Sequence, residues 1–348
     1  MSIDPPASLT AIEISGEPYD VGVRLGRFGA GVVNEYLTAT QAWAGIVAHC
    51  NDPRVVQMRE LVQERFPRYW LEIKGLADGL DLPLEKVFAW NCRGDIRALA
   101  PDGCTTVQVP GTRRIIAHNE DGDPGFRGYC ALARISSSGG TPFTAFVYPG
   151  SLPGHTFAET DAGLVQTVNN IRALETENGF PRMVLTRAVL DCQNLDEAVA
   201  LLQTSNRAGA FHVTLAAAGD PRLLSVEFAA EACSVQDIKT PSAHANHLIH
   251  EETARIRQTV TGSSASRQRR GNTLVRNWGE TDNPLDILRD KAGPGLPIQR
   301  DDPDDPDHEN TLATVVFFIE GEKIDWTVYD KADACARFYV RDGLISAA

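Results

Sequence analysis

The spacing of apolar residues changes period once along this chain, at Asp102-Gly103-Cys104, and that change restricts the possible folds more than any other feature. Upstream the period is helical. Val21, Leu25, Phe28 and Val32, then Val33, Tyr36 and Leu37, share one face of a helical stretch expected over about 19–49. Gly22, Gly26, Gly29 and Gly31 weaken that stretch, because glycine in a helix interior costs about 1 kcal/mol relative to alanine. After Asp52-Pro53, a second stripe runs through Met58, Leu61, Val62, Phe66, Trp70, Ile73 and Leu76. Pro67 is expected to kink or split it, Gly79 to stop it, and Pro83 to open a short helix, PLEKVFAWNC.

Downstream of Cys104 the period shortens. TTVQV, RRIIAHN, YCALARIS, FTAFVYPG, GLVQTVNN, FHVTLAAA, LLSVEFAA and CSVQDI are short β-rich runs punctuated by Gly, Pro, Asp and Ser. Two helices interrupt them, PRMVLTRAVLDC and LDEAVALLQ, the second with Asn194 as N-cap. The polar segment 292–309 reads as an exposed loop, and TLATVVFFIE-GEK-IDWTVYD as a closing hairpin. Helices, then hairpin strands, then helices, then strands predict an α+β fold with a mostly antiparallel sheet. Neither βαβ alternation nor GxGxxG is present, which argues against a nicotinamide or flavin enzyme.

Charge and cysteine usage narrow the function. The 348 residues carry a formal net charge of -13 with no block of Lys or Arg, so the clustered cations that phosphate backbones need are missing. Nucleic acid is therefore not expected as a partner. Cys50, Cys92, Cys104, Cys130, Cys192, Cys233 and Cys335 form an odd set without a CxxC pair, which favours a reducing compartment over a disulfide framework. The opening MSIDPPASLTAIEI lacks a basic stretch followed by an apolar run, and no apolar stretch approaches the ~20 residues that span a bilayer. A cytoplasmic protein without a membrane partner is the expectation.

Cys104 stands at the boundary, directly after Asp-Gly. Attack by a thiol on its own preceding carbonyl needs unusual backbone geometry, and glycine on the acyl side removes a Cβ clash. An N-to-S acyl shift followed by hydrolysis would free residue 104 as a new N-terminus. Its α-amine, with a reference pKa of about 7.7–8.0, would then act as general base for its own thiol. The plainer alternative is a small buried strand cysteine.

Several motifs carry a family resemblance: GEPYDVGVRLGR, ERFPRYWLEIKGLADGLDLPLEKVFAWN, DGCTTVQV, IIAHNEDGD, SVEF and HANHLI. Over about 15–250 the chain resembles the acyl-coenzyme A:6-aminopenicillanate (isopenicillin N) acyltransferase family. This is the autoproteolytic C45 group of Ntn hydrolases, which also includes β-alanyl-amine hydrolases. The resemblance implies a four-layer αββα sandwich, cut autocatalytically from a zymogen into a small subunit, 1–103, and a large one, 104–348, that together form one domain. It implies Cys104 as nucleophile, Asp121 as the acid that orients the new α-amine, and Asn246 as an amide facing the oxyanion. Gly103, Cys104 and Thr105 form the self-cleavage site, where the Thr105 hydroxyl assists or merely fills a strand position. The family's acyltransferases carry an arginine shortly before the late strand, whereas this chain reads Asp307-His308-Glu309-Asn310-Thr311. That departure argues against the penicillin-type substrate and against coenzyme A use, and leaves the thiol chemistry intact.

Other constellations are weaker. His244, His247 and His250 lack HExxH, and the Asp301–Asp307 run lacks the Gly and terminal Glu of a calcium loop, so no metal is expected. Ser136-Ser137-Ser138-Gly139-Gly140 reads as a hairpin loop, and Arg267, Arg269 and Arg270 as the start of a surface helix. Glu120, Asp123, Glu159 and Asp161 are candidates for a carboxylate cluster selecting an amine-bearing substrate, with Asn169 and Asn170 lining the same pocket; the alternative is surface carboxylate. The expected activity is a thiol amidohydrolase acting on a small-molecule acyl amide through a Cys104 thioester. It needs no cofactor. An acyltransferase using an acyl thioester or amide, and an unprocessed binding protein, are the alternatives.

Overall fold

The computed structural model describes residues 8–97, 103–230, 232–279, 281–331 and 335–348. Asp102, the first residue of the boundary, lies outside them. Strand β1 (Thr10–Gly16) leads into α1 (Pro18–Glu35), then α2 (Gln41–Val47), α3 (Pro53–Arg65), α4 (Pro67–Leu80), α5 (Leu84–Asn91) and α6 (Arg93–Ile96). Six strands follow: β2 (Gly103–Val109), β3 (Arg113–Gly122), β4 (Ala131–Ser137), β5 (Phe143–Val147), β6 (Phe157–Thr160) and β7 (Leu164–Asn170). Helices α7 (Arg182–Val189) and α8 (Leu195–Thr204) precede β8 (Phe211–Ala217), β9 (Leu223–Phe228), β10 (Cys233–Asp237) and β11 (Ser242–His244). The chain closes with α9 (Gly262–Val275), α10 (Pro284–Leu288), β12 (Asn310–Glu320), β13 (Lys323–Tyr329), β14 (Phe338–Arg341) and β15 (Leu344–Ala347).

Among the described residues these strands form two sheets. One has eight strands in the order β1-β4-β5-β6-β7-β8-β9-β10, antiparallel except for the β1–β4 pair. The other has seven, β11-β2-β3-β12-β13-β14-β15, antiparallel throughout. The sheets face each other: Gln108 on β2 donates to Thr214 on β8 at 2.7 Å, and Phe157 on β6 packs against Phe317 and Trp326 of the other sheet. Helices α1 and α8 cover the outer face of the larger sheet, and α9 and α10 that of the smaller one. The architecture is therefore α+β in four layers, αββα. It explains why strands such as β2 and β7 are buried along their whole length: each sheet is covered on both faces.

The helical reading of the first hundred residues needs one revision. The 19–49 stretch breaks after Glu35, and Thr40 caps α2 by accepting the Trp43 N–H at 3.1 Å. Pro67 splits the second stripe as expected, and α4 stops one residue beyond Gly79, where Asp81 takes a left-handed φ of 57°. The glycines of α1 are contact residues. A Cβ at Gly22 would lie 2.0 Å from the Glu72 carbonyl oxygen, one at Gly26 2.5 Å from that of Leu76, and one at Gly75 2.0 Å from that of Tyr19. Their helical cost is offset by the close approach of α1 and α4. Strands β1, β6, β11, β14 and β15 escaped the sequence reading, four of them because three or four residues show no period. The segment 292–309 is not a fully exposed loop: Gln299, Arg300, Asp305 and Glu309 are buried, because Arg300 folds inward onto Asp305 and onto Glu309 at 2.6 Å.

Gly75→Ala is expected to destabilise the protein by about 1–3 kcal/mol, the usual cost of overpacking a tight interface, read from the urea midpoint. Gly262→Ala, where an added Cβ meets nothing within 4 Å, is the matched control and should not lower stability.

Candidate active site

The register of two strand pairs assembles the site. Between β2 and β3, Gly103 lies opposite Asp121, Cys104 opposite Glu120, Thr105 opposite Asn119 and Thr106 opposite His118. On the other side, β11 sets His244 opposite Thr106, which carries Asn246 to the level of Cys104. Side chains alternate along a strand, so this register sorts residues onto two faces. Cys104, Thr106, His118 and Glu120 point between the sheets, where Thr106 donates to Asn169 of β7 at 2.7 Å. Thr105, Asn119 and Asp121 point toward α9 and α10: Asn119 donates to the Leu288 carbonyl at 2.7 Å, and Thr105 receives Arg267 at 2.9 Å.

Around residue 104 the contacts are dense. The Cys104 N–H donates to Asn246 Oδ1 at 2.9 Å, and Arg267 donates to the same oxygen at 2.6 Å. Arg267 also donates to the Cys104 carbonyl. Asn246 in turn donates its Nδ2 to the Asn170 carbonyl at 3.0 Å, and its N–H to Ser264 at 2.9 Å. The Cys104 thiol sits 3.8 Å from Glu120 Oε2. Asp121 Oδ1 accepts the Thr311 hydroxyl at 2.6 Å, while Oδ2 has no hydrogen-bond donor among the described residues. Burial raises the Asp121 pKa and the Arg267 charge opposes that rise. Gly103 faces a carboxylate: a Cβ there would stand 2.5 Å from Glu309 Oε2. Glu309 is held by Arg172 at 3.1 Å and Arg300 at 2.6 Å.

The sequence profile of the family described as acyl-coenzyme A:6-aminopenicillanic acid acyl-transferase matches residues 108–333, well over half of the chain. The chain belongs to this family. A β-alanyl-dopamine/carcinine hydrolase of Drosophila melanogaster is 28% identical over 235 residues, 60% of this chain and 61% of the fly protein. The chain thus matches less than two thirds of that relative's length. Two crystal structures of the conjugated bile acid hydrolase from Clostridium perfringens, both of single-residue mutants, align at 10% identity with a TM-score of 0.42. Each alignment covers 67% of this chain, and 91% and 92% of theirs respectively.

Within this member of the acyltransferase family, Arg267 ties Cys104, Thr105 and Asn246 together, while Asp121 lies opposite Gly103 and Glu120 opposite Cys104 on the neighbouring strand. Asn246 turns its Oδ1 to the nitrogen of Cys104, and one of the two hydrogens on its Nδ2 goes to the Asn170 carbonyl. Asn169 serves the interior by accepting from Thr106 and donating to the His244 carbonyl at 3.1 Å. Asp123 lies past the end of β3, accepts the Tyr36 hydroxyl at 2.7 Å, and lines a small cleft with Trp90, Arg93, Phe126 and Tyr148. The expected four-carboxylate cluster does not form. Glu159 accepts the Trp326 indole at 2.5 Å, on β13, and Asp161 pairs with Arg134 at 2.6 Å. Strand β13 stands three strands from β2, roughly 14 Å at ~4.8 Å per strand.

Arg267 is the largest correction. Its expected place was the surface, yet it is 1% exposed and touches Cys104, Thr105 and Asn246. Burial lowers its pKa, and the charges of Asp121 and Glu309 oppose that. A signal was present: Ser263, Ser264, Arg267, Gln268, Gly271 and Val275 are the buried face of α9 at helical spacing, written mainly in polar and small residues. No arginine stands at 307–311; Glu309 projects there, and the guanidinium groups come from Arg172, Arg267 and Arg300.

Two sets have the composition of a metal site, Cys104 with His118 and Glu120, and Glu227 with His244 and His250. In the second set the carboxylate acts as a clamp. Glu227 accepts the N–H groups of Ile249 at 2.7 Å and His250 at 3.1 Å, His244 Nε2 at 2.7 Å and the Thr253 hydroxyl, and so anchors the segment carrying Asn246. Burial alone would raise its pKa, but the His244 bond and the charges of His244 and His250 hold it to about 2.

Because that folded-state pKa lies below the unfolded value, the stabilisation is full above about pH 4.5 and fades as pH falls toward about 2. Glu227→Gln should therefore cost a few kcal/mol near pH 6, and the gap between the two proteins should close on acidification through this window, as read by urea unfolding at each pH.

Proposed function

We propose that this chain is a self-processing thiol amidohydrolase. It cuts its own Gly103–Cys104 bond, leaves the pieces 1–103 and 104–348 folded as one unit, and hydrolyses a linear amide through a Cys104 thioester. The observation that carries this reading is the prepared seat for the nitrogen of residue 104: Asn246 Oδ1 accepts it at 2.9 Å and is itself fixed by Arg267 at 2.6 Å. Once the peptide bond is cut, the same oxygen holds an α-amine beside its own thiol, poised to take the thiol proton. Asp121, one strand away and opposite Gly103, supplies the negative charge that steadies the ammonium. In this reading Asn246 Oδ1 holds the amine, and Thr105 holds Arg267.

The cycle balances without a cofactor. Cys104 sulfur adds to the amide carbonyl, the C–N bond breaks, and the departing amine takes the proton held by the α-amine. Water then opens the thioester. The substrate we infer is an amide with an ammonium group in one half, such as a β-alanyl amine, for which Asp123 supplies a carboxylate beside Arg93 and the aromatic walls of the cleft that meets the site at Tyr148. The fly relative's name points the same way. Transfer to a second amine instead of water is the alternative, favoured by the description of the matched family. Among the described residues no helix is long and apolar enough to cross a membrane.

Purified protein given a β-alanyl amide together with a competing amine should yield free β-alanine, followed by mass spectrometry, and Cys104→Ala should yield none. A new β-alanyl amide in place of the acid would assign transfer. Absence of any thiol-dependent product across a panel of acylated amines would favour a non-catalytic binding protein.

A further inference from the structure

An uncut chain has no α-amine. The nitrogen of Cys104 is then an amide, with no basic lone pair, so self-cleavage needs another acceptor for the thiol proton. Asp121 is turned away from this task, since its side chain lies on the α9 face of the sheet and the thiol on the inner face. The geometry points to Glu120 as the proton acceptor of Cys104 in the uncut chain, with His118 as its partner; this rests on the self-cleavage reading above.

Hydrogen-bond directions decide the protonation states. Asn169 donates Nδ2 to the His244 carbonyl at 3.1 Å, which leaves Oδ1 facing Thr106 at 2.7 Å and His212 Nδ1 at 3.0 Å. Thr106 must therefore spend its one hydroxyl proton on Asn169, and its oxygen accepts from His118 Nδ1 at 2.8 Å. A neutral His118 protonated at Nδ1 has a bare Nε2, and that nitrogen faces Glu120 Oε2 at 3.1 Å. Burial and the Arg267 charge keep the ring neutral, holding its pKa to about 3. With Glu120 ionised, two acceptors would touch in a dry interior, an arrangement that a shared proton relieves. The Cys104 thiol, 3.8 Å from the same oxygen, is placed to supply it. Tyr148 donates to the other carboxylate oxygen at 3.0 Å and keeps Oε2 turned to the thiol. Cys130, preceding β4, is a further titratable group whose thiol feels the Glu120 charge, after burial.

The step closes in atoms. The thiol proton moves to Glu120 Oε2, where it bridges to His118 Nε2, as Cys104 sulfur bonds to the Gly103 carbonyl carbon. On collapse the Gly103–Cys104 C–N bond breaks and the proton passes to the departing nitrogen, which becomes the α-amine. Water hydrolyses the thioester to the Gly103 carboxylate and the free thiol, with no other reactant. Glu120 thus serves the first event and the α-amine the later turnovers.

The test follows full-length wild type, Glu120→Gln and Glu120→Ala at pH 7.5 by intact mass, after circular dichroism has established folding. Glu120→Gln should cut about 10²–10⁴-fold more slowly, the range for loss of a general base. Formate should restore cutting to Glu120→Ala in a concentration-dependent way, a rescue that a merely structural carboxylate would not give. Cutting of Glu120→Gln within threefold of wild type overturns the assignment while leaving self-cleavage standing. Wild-type protein that never cuts overturns self-cleavage itself, and this inference with it. Should either replacement misfold, Glu120→Asp decides, since a carboxylate withdrawn by one methylene should cut at least tenfold more slowly, and a wild-type rate overturns the assignment.

Discussion

A guanidinium group shut away from water organises the centre of this protein. Arg267 reaches from α9 across the smaller sheet and binds Asn246, Thr105 and the Cys104 carbonyl at once. An isolated buried cation would cost several kcal/mol, so such a group persists only where negative charge and acceptors surround it. Asp121 and Glu309 provide the charge. Glu309 in turn is held by Arg172 and Arg300, and Arg300 by Asp305, so a segment expected to lie in solvent is drawn into the interior. Gly103 is required by the same network, because its missing side chain leaves room for the Glu309 carboxylate.

Strand register then divides the labour between two faces. One face of β2 and β3 carries the cation network that holds the nitrogen of residue 104. The other carries the thiol with Glu120 and His118. Only at Cys104 do the two meet, backbone on one side and sulfur on the other. A one-residue slip of β2 against β3 would exchange the faces, and the covered, almost wholly buried condition of both strands is what forbids it.

The sequence made the layered α+β class legible through its change of period, and the motif around DGCTT carried the family. Cys104, Asp121 and Asn246 are candidates because they sit in that motif context. Arg267 is not, since RQRR in a polar helix reads as solvent-facing until α9 is seen against β2 and β11. The bond from the Cys104 N–H to Asn246 Oδ1 is not legible for a different reason: residue identity says nothing about which end of an amide faces a neighbouring strand. Glu159 and Asp161 follow TAFVYPG in what reads as a loop free to reach the carboxylates flanking Asp121, but Phe157–Thr160 is a strand, and strand order keeps them apart. The glycines of α1 looked like helix breakers because a partner helix distant in sequence is invisible in a local window.

All of this chemistry depends on the backbone nitrogen of residue 104 becoming an amine. Edman sequencing and intact mass of protein that is turning over an amide substrate address this directly. The expected result is a polypeptide whose first residue is Cys104, together with its 1–103 companion. Active material in which Cys104 remains joined to Gly103 would contradict it.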